Sequence, residues 1–92
     1  MDVDHLILLR ELAARGTVAA VASAQHRTAS AVSQQLKVAE RAFGVRLTEP
    51  DGRRLRLTPA GRLLAEGASE VTAAVARVQA QLDVLQGSPT GV

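Results

Sequence analysis

Apolar positions recur at helical spacing in four stretches of the chain and alternate with polar ones in a fifth. Residues 4–15, DHLILLRELAAR, predict a first helix, with Asp4 as its N-cap and Gly16 as its C-cap. Val3, Leu6, Leu9 and Ala13 form its apolar stripe. Ile7, Leu8 and Leu12 fall outside that stripe, a surplus that predicts a second packing surface such as another subunit. Thr17 then caps a short helix in TVAAVASAQH, whose alanines let a neighbour approach closely. A third helix follows from Thr28, with Val32, Leu36, Ala39 and Phe43 facing inward and Gly44 ending it. The link between the two is a short turn, so the pair reads as a helix-turn-helix.

The fifth stretch is VRLTEPDGRRLRLT. Residues 45–48 and 54–57 carry extended-chain formers, and Pro50 with Asp51-Gly52 supplies turn chemistry between them, which predicts a β-hairpin. Pro50 is expected at a strand end or in the turn, not inside a paired strand. The last helix opens with Thr58 as N-cap and Pro59 at its first position. Leu64, Ala68, Val71, Val75, Val78, Leu82 and Leu85 then follow at alternating steps of four and three, until Gly87, Ser88 and Pro89 stop it. About 28 residues at 1.5 Å each give roughly 42 Å, more than a small domain can cover. The seam therefore predicts self-association. Its flanking positions Gly67, Thr72, Ala74, Gln79 and Gln81 are neutral, so a second helix, antiparallel or otherwise, can lie close against it.

Composition supports stacked helices. The chain has 92 residues, 47% of them apolar, yet Phe43 is its one aromatic residue among many alanines, valines and leucines. Sheet sandwiches favour aromatic and β-branched residues instead. Without cysteine there are no disulfides and no thiolate metal sites. The opening MDVDHLILLRELAAR is charged at intervals, unlike a signal peptide or a membrane span, so the expected setting is soluble and cytoplasmic, with no membrane partner. The net charge of +2 conceals a segregation. Arg27, Lys37, Arg41, Arg46, Arg53, Arg54, Arg56 and Arg62 face only Glu40, Glu49 and Asp51 in the middle of the chain, while both ends are mildly acidic. A basic middle points to a polyanion partner.

Catalysis finds no support in these residues. His5 and His26 lie far apart, with no carboxylate set at ligand spacing, and Ser23, Ser30, Ser33 and Ser69 lack nucleophile-elbow surroundings. An enzyme is not expected, nor is a metal or cofactor. The third helix has a different profile. Small residues at its start let the backbone approach base edges, and polar side chains recur one turn apart on its outer face. Ala29, Ser30, Ser33, Gln34 and Lys37 occupy that face, with Arg27 and Thr28 at its entrance. Thr28, and Thr17 at the start of the second helix, are placed to meet phosphates, as are Arg53, Arg54 and Arg56 on the hairpin. By itself the helix is equally a solvated polar face; the flanks favour groove reading. A helical dimerisation module that binds protein, and a winged-helix regulator of another class, remain alternatives.

With these residues in place, the chain resembles the DNA-binding region of LysR-type transcriptional regulators. The matching segments are GTVAAVASAQHRTASAVSQQLKVAERAFGVRL and DGRRLRLTPAG, followed by the long helix. The resemblance implies a mainly α winged helix-turn-helix: three helices plus a hairpin wing over residues 1–58, a dimerisation helix over 59–86 and a tail over 87–92. It implies double-stranded DNA with a dyad-symmetric site as partner and a homodimer built on Leu64, Ala68, Val71, Val75, Val78, Leu82 and Leu85. The partner's long helix would also cover Ile7 and Leu8. The family often has Gln-Pro where Ala29-Ser30 stand, Arg at Gln34, and Leu and Val at Gln25 and Arg27, so base preference should differ from relatives'. At Thr48 and Pro50 the family frequently has an aromatic residue or Leu and then an Arg. Members continue into a large effector-binding domain, so a small-molecule effector would act only through a domain missing from these 92 residues. The chain is thus expected to be a piece of a longer regulator or a free-standing short one.

Overall fold

Each helix begins on a side chain that caps it. The computed structural model describes residues 1–87. Its elements run α1 (Val3–Arg15), α2 (Val18–Ala24), α3 (Ala29–Phe43), β1 (Thr48–Asp51), β2 (Arg54–Leu57) and α4 (Pro59–Leu85). The hydroxyls of Thr17, Thr28 and Thr58 accept the N–H groups of Ala20, Ala31 and Gly61 at 3.1, 3.0 and 3.1 Å, the role expected of all three. For α1 the cap is Asp2, not Asp4: the Asp2 carboxylate accepts the Asp4 N–H at 2.9 Å. Asp4 sits two positions further in, in the first turn, where its charge favours the positive end of the helix. Gly16 and Gly44 end α1 and α3 in the left-handed region, at φ 85° and 70°.

The α2–α3 turn closes on His26, also left-handed at φ 54°. The His26 N–H donates to the Ser23 carbonyl at 3.3 Å and the Arg27 N–H to the Ala22 carbonyl at 2.9 Å, the two bonds of a Schellman cap. A turn this tight brings Thr28 directly to the start of α3. Val32, Leu36 and Ala39 of α3 then lock into a core shared with Leu8, Leu9 and Leu12 of α1, Val21 and Ala22 of α2, Leu47 and Ala65. Phe43 packs at its edge, with the His5 ring edge-on at 6.2 Å.

Two expectations about packing are corrected. Leu8, Leu9 and Leu12 form the core face of α1, while Val3 and Ala13 of the expected stripe are exposed. The surplus apolar surface of α1 is consumed within the chain, because α4 lies along α1 and covers a second side of it. An Arg10 Nη1 to Thr72 Oγ1 bond of 3.1 Å ties the two helices. Leu8 and Ala68, each 1% exposed, therefore cannot meet a second copy.

The hairpin also differs. Strand β1 begins at residue 48, not 45, because residues 45–47 spend their backbone groups elsewhere. The Val45 N–H meets the Glu40 carbonyl, the Leu47 N–H donates to the Glu40 carboxylate at 2.8 Å, and the Leu47 carbonyl accepts from Thr58 at 3.0 Å. Pro50 is inside the ladder, opposite Leu55. Asp51 pairs with Arg54 around the two-residue turn Gly52-Arg53. In an antiparallel ladder the pair next to the closing one exchanges no hydrogen bonds, so the missing N–H of Pro50 costs nothing there.

Thr58 and Gly61 join the hairpin to α4. Thr58 donates its hydroxyl to the Arg46 carbonyl at 2.7 Å, and a side chain at Gly61 would overlap the Leu47 carbonyl. Beyond Ala68, α4 leaves the core, and the described chain extends over 50 × 25 × 18 Å. No described helix is long and apolar enough to cross a membrane. Of the residues expected to stop α4, Gly87 follows its end, while Ser88 and Pro89 lie outside the described residues, as does the rest of the 87–92 tail.

Candidate nucleic-acid interface

Anchoring one face of α3 in the core fixes what the other face presents. Ser30, Ser33, Gln34, Lys37 and Arg41 line one open trough along the outer side of the helix. Ser30, Gln34 and Lys37 are exposed and Ser33 is half-buried, so four of the expected readers come together; Ala29 is exposed at the N-terminal end. Arg41 was not among the expected site residues. Its signal was present in sequence, since it stands one turn beyond Lys37 at four-residue spacing. Lys37 and Arg41 have no carboxylate partner among the described residues, where the arginine–carboxylate pairs are Arg15–Glu11 and Arg56–Glu49. The trough thus combines neutral hydrogen-bonding groups near the helix start with uncompensated cations further along.

Thr17 and Thr28 stand at the starts of α2 and α3, each with its hydroxyl oxygen committed to the helix and its proton left to donate. Arg27 behaves differently from a freely extended cation. Its Nη1 donates to Gln25 Oε1 at 3.4 Å and to Gln35 Oε1, so the guanidinium folds back between the turn and α3. Both partners are neutral, and the charge survives the contact.

The three hairpin arginines separate. Arg53 occupies the turn itself, exposed and without an ion pair among the described residues. Arg54 reaches back to α1, where its guanidinium lies over Gly16; a Cβ there would overlap it. The negative end of α1 is thereby met by a cation. Arg56 crosses the ladder to Glu49, with Nη2 at 2.9 Å and Nε at 3.0 Å from the carboxylate. Of the three, only Arg56 is ion-paired among the described residues, while Arg53 stands furthest out, in the turn.

On α4 the expected seam is partly available. Val75, Val78, Leu82 and Leu85 are 64, 60, 45 and 84% exposed, whereas Val71 is half-buried and Leu64 is half-buried against the core. Leu63, 69% exposed, was not expected to join them. Ile7 is half-buried on α1.

Residues 3–62 match the profile of the bacterial regulatory helix-turn-helix proteins of the lysR family. The chain belongs to that family. It is a LysR-type helix-turn-helix DNA-binding domain with a winged-helix fold, as the resemblance implied. The HTH-type transcriptional regulator MetR of Salmonella typhimurium is 35% identical over 77 residues, which are 84% of this chain and 24% of that protein. The LysR-type domain therefore spans about a quarter of the length of that curated relative. Among solved structures, full-length LysG of Corynebacterium glutamicum with bound effector Arg superposes with a TM-score of 0.85 at 26% identity, covering 94% of this chain and 29% of that one. A complex of the CbnR DNA-binding domain with DNA superposes with a TM-score of 0.81, also at 26% identity, covering 94% of this chain and 99% of that one.

Proposed function

We propose that this LysR-type domain binds double-stranded DNA sequence-specifically as a homodimer, placing two copies of α3 in successive major grooves of a dyad-symmetric site. The observation that carries the reading is the polar trough of Ser30, Ser33, Gln34, Lys37 and Arg41 on a helix whose opposite face is fixed in the core. Ser33 and Gln34 read base edges: the amide of Gln34 matches the N6/N7 edge of adenine, and the Ser33 hydroxyl serves either base type. Ala29 meets a thymine methyl, and Ser30 lies beside it at the groove floor. Thr17, Thr28, Arg27, Lys37 and Arg41 hold phosphates, and Arg53 brings a cation to the backbone or minor groove beside the reader helix. The likeness to the CbnR domain, solved on DNA, supports the same mode of docking.

The exposed apolar positions of α4 from Val75 to Leu85 support the dimer. None of this requires a metal, a cofactor or covalent chemistry, and it acts on DNA in the cytoplasm. A small-molecule effector would act only through a domain outside these 92 residues. A gel shift on random duplex at low and high salt, followed by selection from a random pool, tests the function. Retention at low salt, its loss at high salt and recovery of an inverted repeat are expected. No retention at either salt would leave a helical protein-interaction module as the better reading.

A further inference from the structure

The α2–α3 turn gathers three long polar side chains. The cap at His26 fixes the backbone on which Gln25 and Arg27 stand, two positions where this chain departs from the family's usual Leu and Val. The third is Gln35, half-buried on α3. It follows Gln34 of the trough but lies about 100° further round the helix, on the side that faces back to the turn. There Arg27 Nη1 donates to the Oε1 atoms of Gln25 and Gln35, the Gln25 contact at 3.4 Å.

A guanidinium has five N–H groups, of which Nη1 carries two. With Nη1 engaged, the edge formed by Nε and Nη2 remains, and it has no partner among the described residues. Arg27 itself is exposed. Arg56 uses that same edge to hold a carboxylate oxygen of Glu49, at 3.0 Å from Nε and 2.9 Å from Nη2. The fork suits a phosphate equally well. Two neutral acceptors orient the group yet leave its charge whole, which a carboxylate at position 25 or 35 would not. Held in this way, the long side chain has less rotamer freedom left to lose when an anion arrives.

We infer that Gln35, supported by Gln25, is a positioning residue that holds Arg27 with its Nε–Nη2 edge turned to a DNA phosphate at the entrance of α3. The inference rests on the DNA binding proposed above. It adds two residues that act through Arg27 and read no base themselves.

A double-mutant cycle on the full 92-residue chain tests it, with binding to a random-sequence duplex followed by fluorescence anisotropy across a salt series. Arg27→Ala should weaken binding about tenfold and lower the slope of log affinity against log salt by about 0.9. Gln35→Ala should weaken binding about threefold when Arg27 is present and not at all in the Arg27→Ala background. Gln35→Glu should bring the slope down to that of Arg27→Ala, because its carboxylate takes the guanidinium from the phosphate. Circular dichroism should show all four variants folded. An equal loss from Gln35→Ala with and without Arg27 would mean that Gln35 only supports the fold, and would overturn the positioning role. An unchanged slope for Arg27→Ala would overturn the phosphate contact. A wild-type chain that binds no duplex at low salt would instead remove the DNA-binding reading itself.

Discussion

At the hairpin, alternation turns Leu55 and Leu57 to the core and leaves Arg54 and Arg56 on the outer side, yet their charges end in different places. Arg56 pairs with Glu49 and the Arg54 guanidinium lies over Gly16 at the end of α1, so in the proposed function Arg53 is the hairpin cation with no neighbour to share its charge. Arg53→Ala should therefore lower the slope of log affinity against log salt by about 0.9, the share of one phosphate contact. Arg56→Ala should change it less; fluorescence anisotropy across a salt series measures both, and equal slopes would refute the distinction. On α3, Gln34→Ala should reorder base preference at one position, worth about 1–3 kcal/mol, while Lys37→Ala should weaken all sequences alike. Selection from a random pool with each variant separates these outcomes, and an unchanged consensus for Gln34→Ala would remove that residue from base reading. His26 carries a backbone angle that costs a non-glycine residue about 1–2 kcal/mol. His26→Gly should accordingly raise stability by about 1 kcal/mol in urea denaturation, with part of the gain lost to the freer unfolded chain.

At the scale of elements, caps, turns and breakers were legible because they act locally. Thr17, Thr28, Thr58, Pro59, Gly16 and Gly44 each do what their positions announced. Strand β1 was displaced by three residues because Glu40, on another element, captures the Leu47 N–H, and no pattern within residues 45–48 contains that contact. Pro50 escaped its usual exclusion for a similar reason: which ladder positions go without hydrogen bonds depends on the turn that closes the hairpin. Gly61 marks the junction where hairpin and α4 meet most closely. Gly61→Ala should destabilise the fold by about 1–3 kcal/mol, since its methyl must displace the Leu47 carbonyl that Thr58 also uses. Thermal or urea unfolding checks this, and a neutral effect would mean that α4 docks more loosely than the contact implies.

For the whole molecule, the structure divides between a core that orients α3 and a helix that leaves the core with its apolar residues exposed. Val78 is exposed and far from that core, so Val78→Asp should give a folded monomer by sedimentation and circular dichroism. Its affinity for a dyad-symmetric site should fall by about a hundredfold or more, because the second reader no longer binds at high effective concentration. Dyad binding at wild-type strength by such a monomer would contradict the two-reader arrangement. The residue pattern alone was enough for four helices, a hairpin, a helix-turn-helix and the polar face of α3, all set by periodicity and capping within a few residues. It could not assign the surplus leucines of α1, because a helical period shows how much surface is apolar but not what covers it. Only the packed chain decided that Leu8 and Ala68 lie inside, that Arg54 lies over Gly16 and Arg56 pairs with Glu49, and that Arg41 shares the trough with Gln34. Those outcomes depend on contacts between residues distant in sequence, where close packing and ion pairing, not local preference, choose the partner.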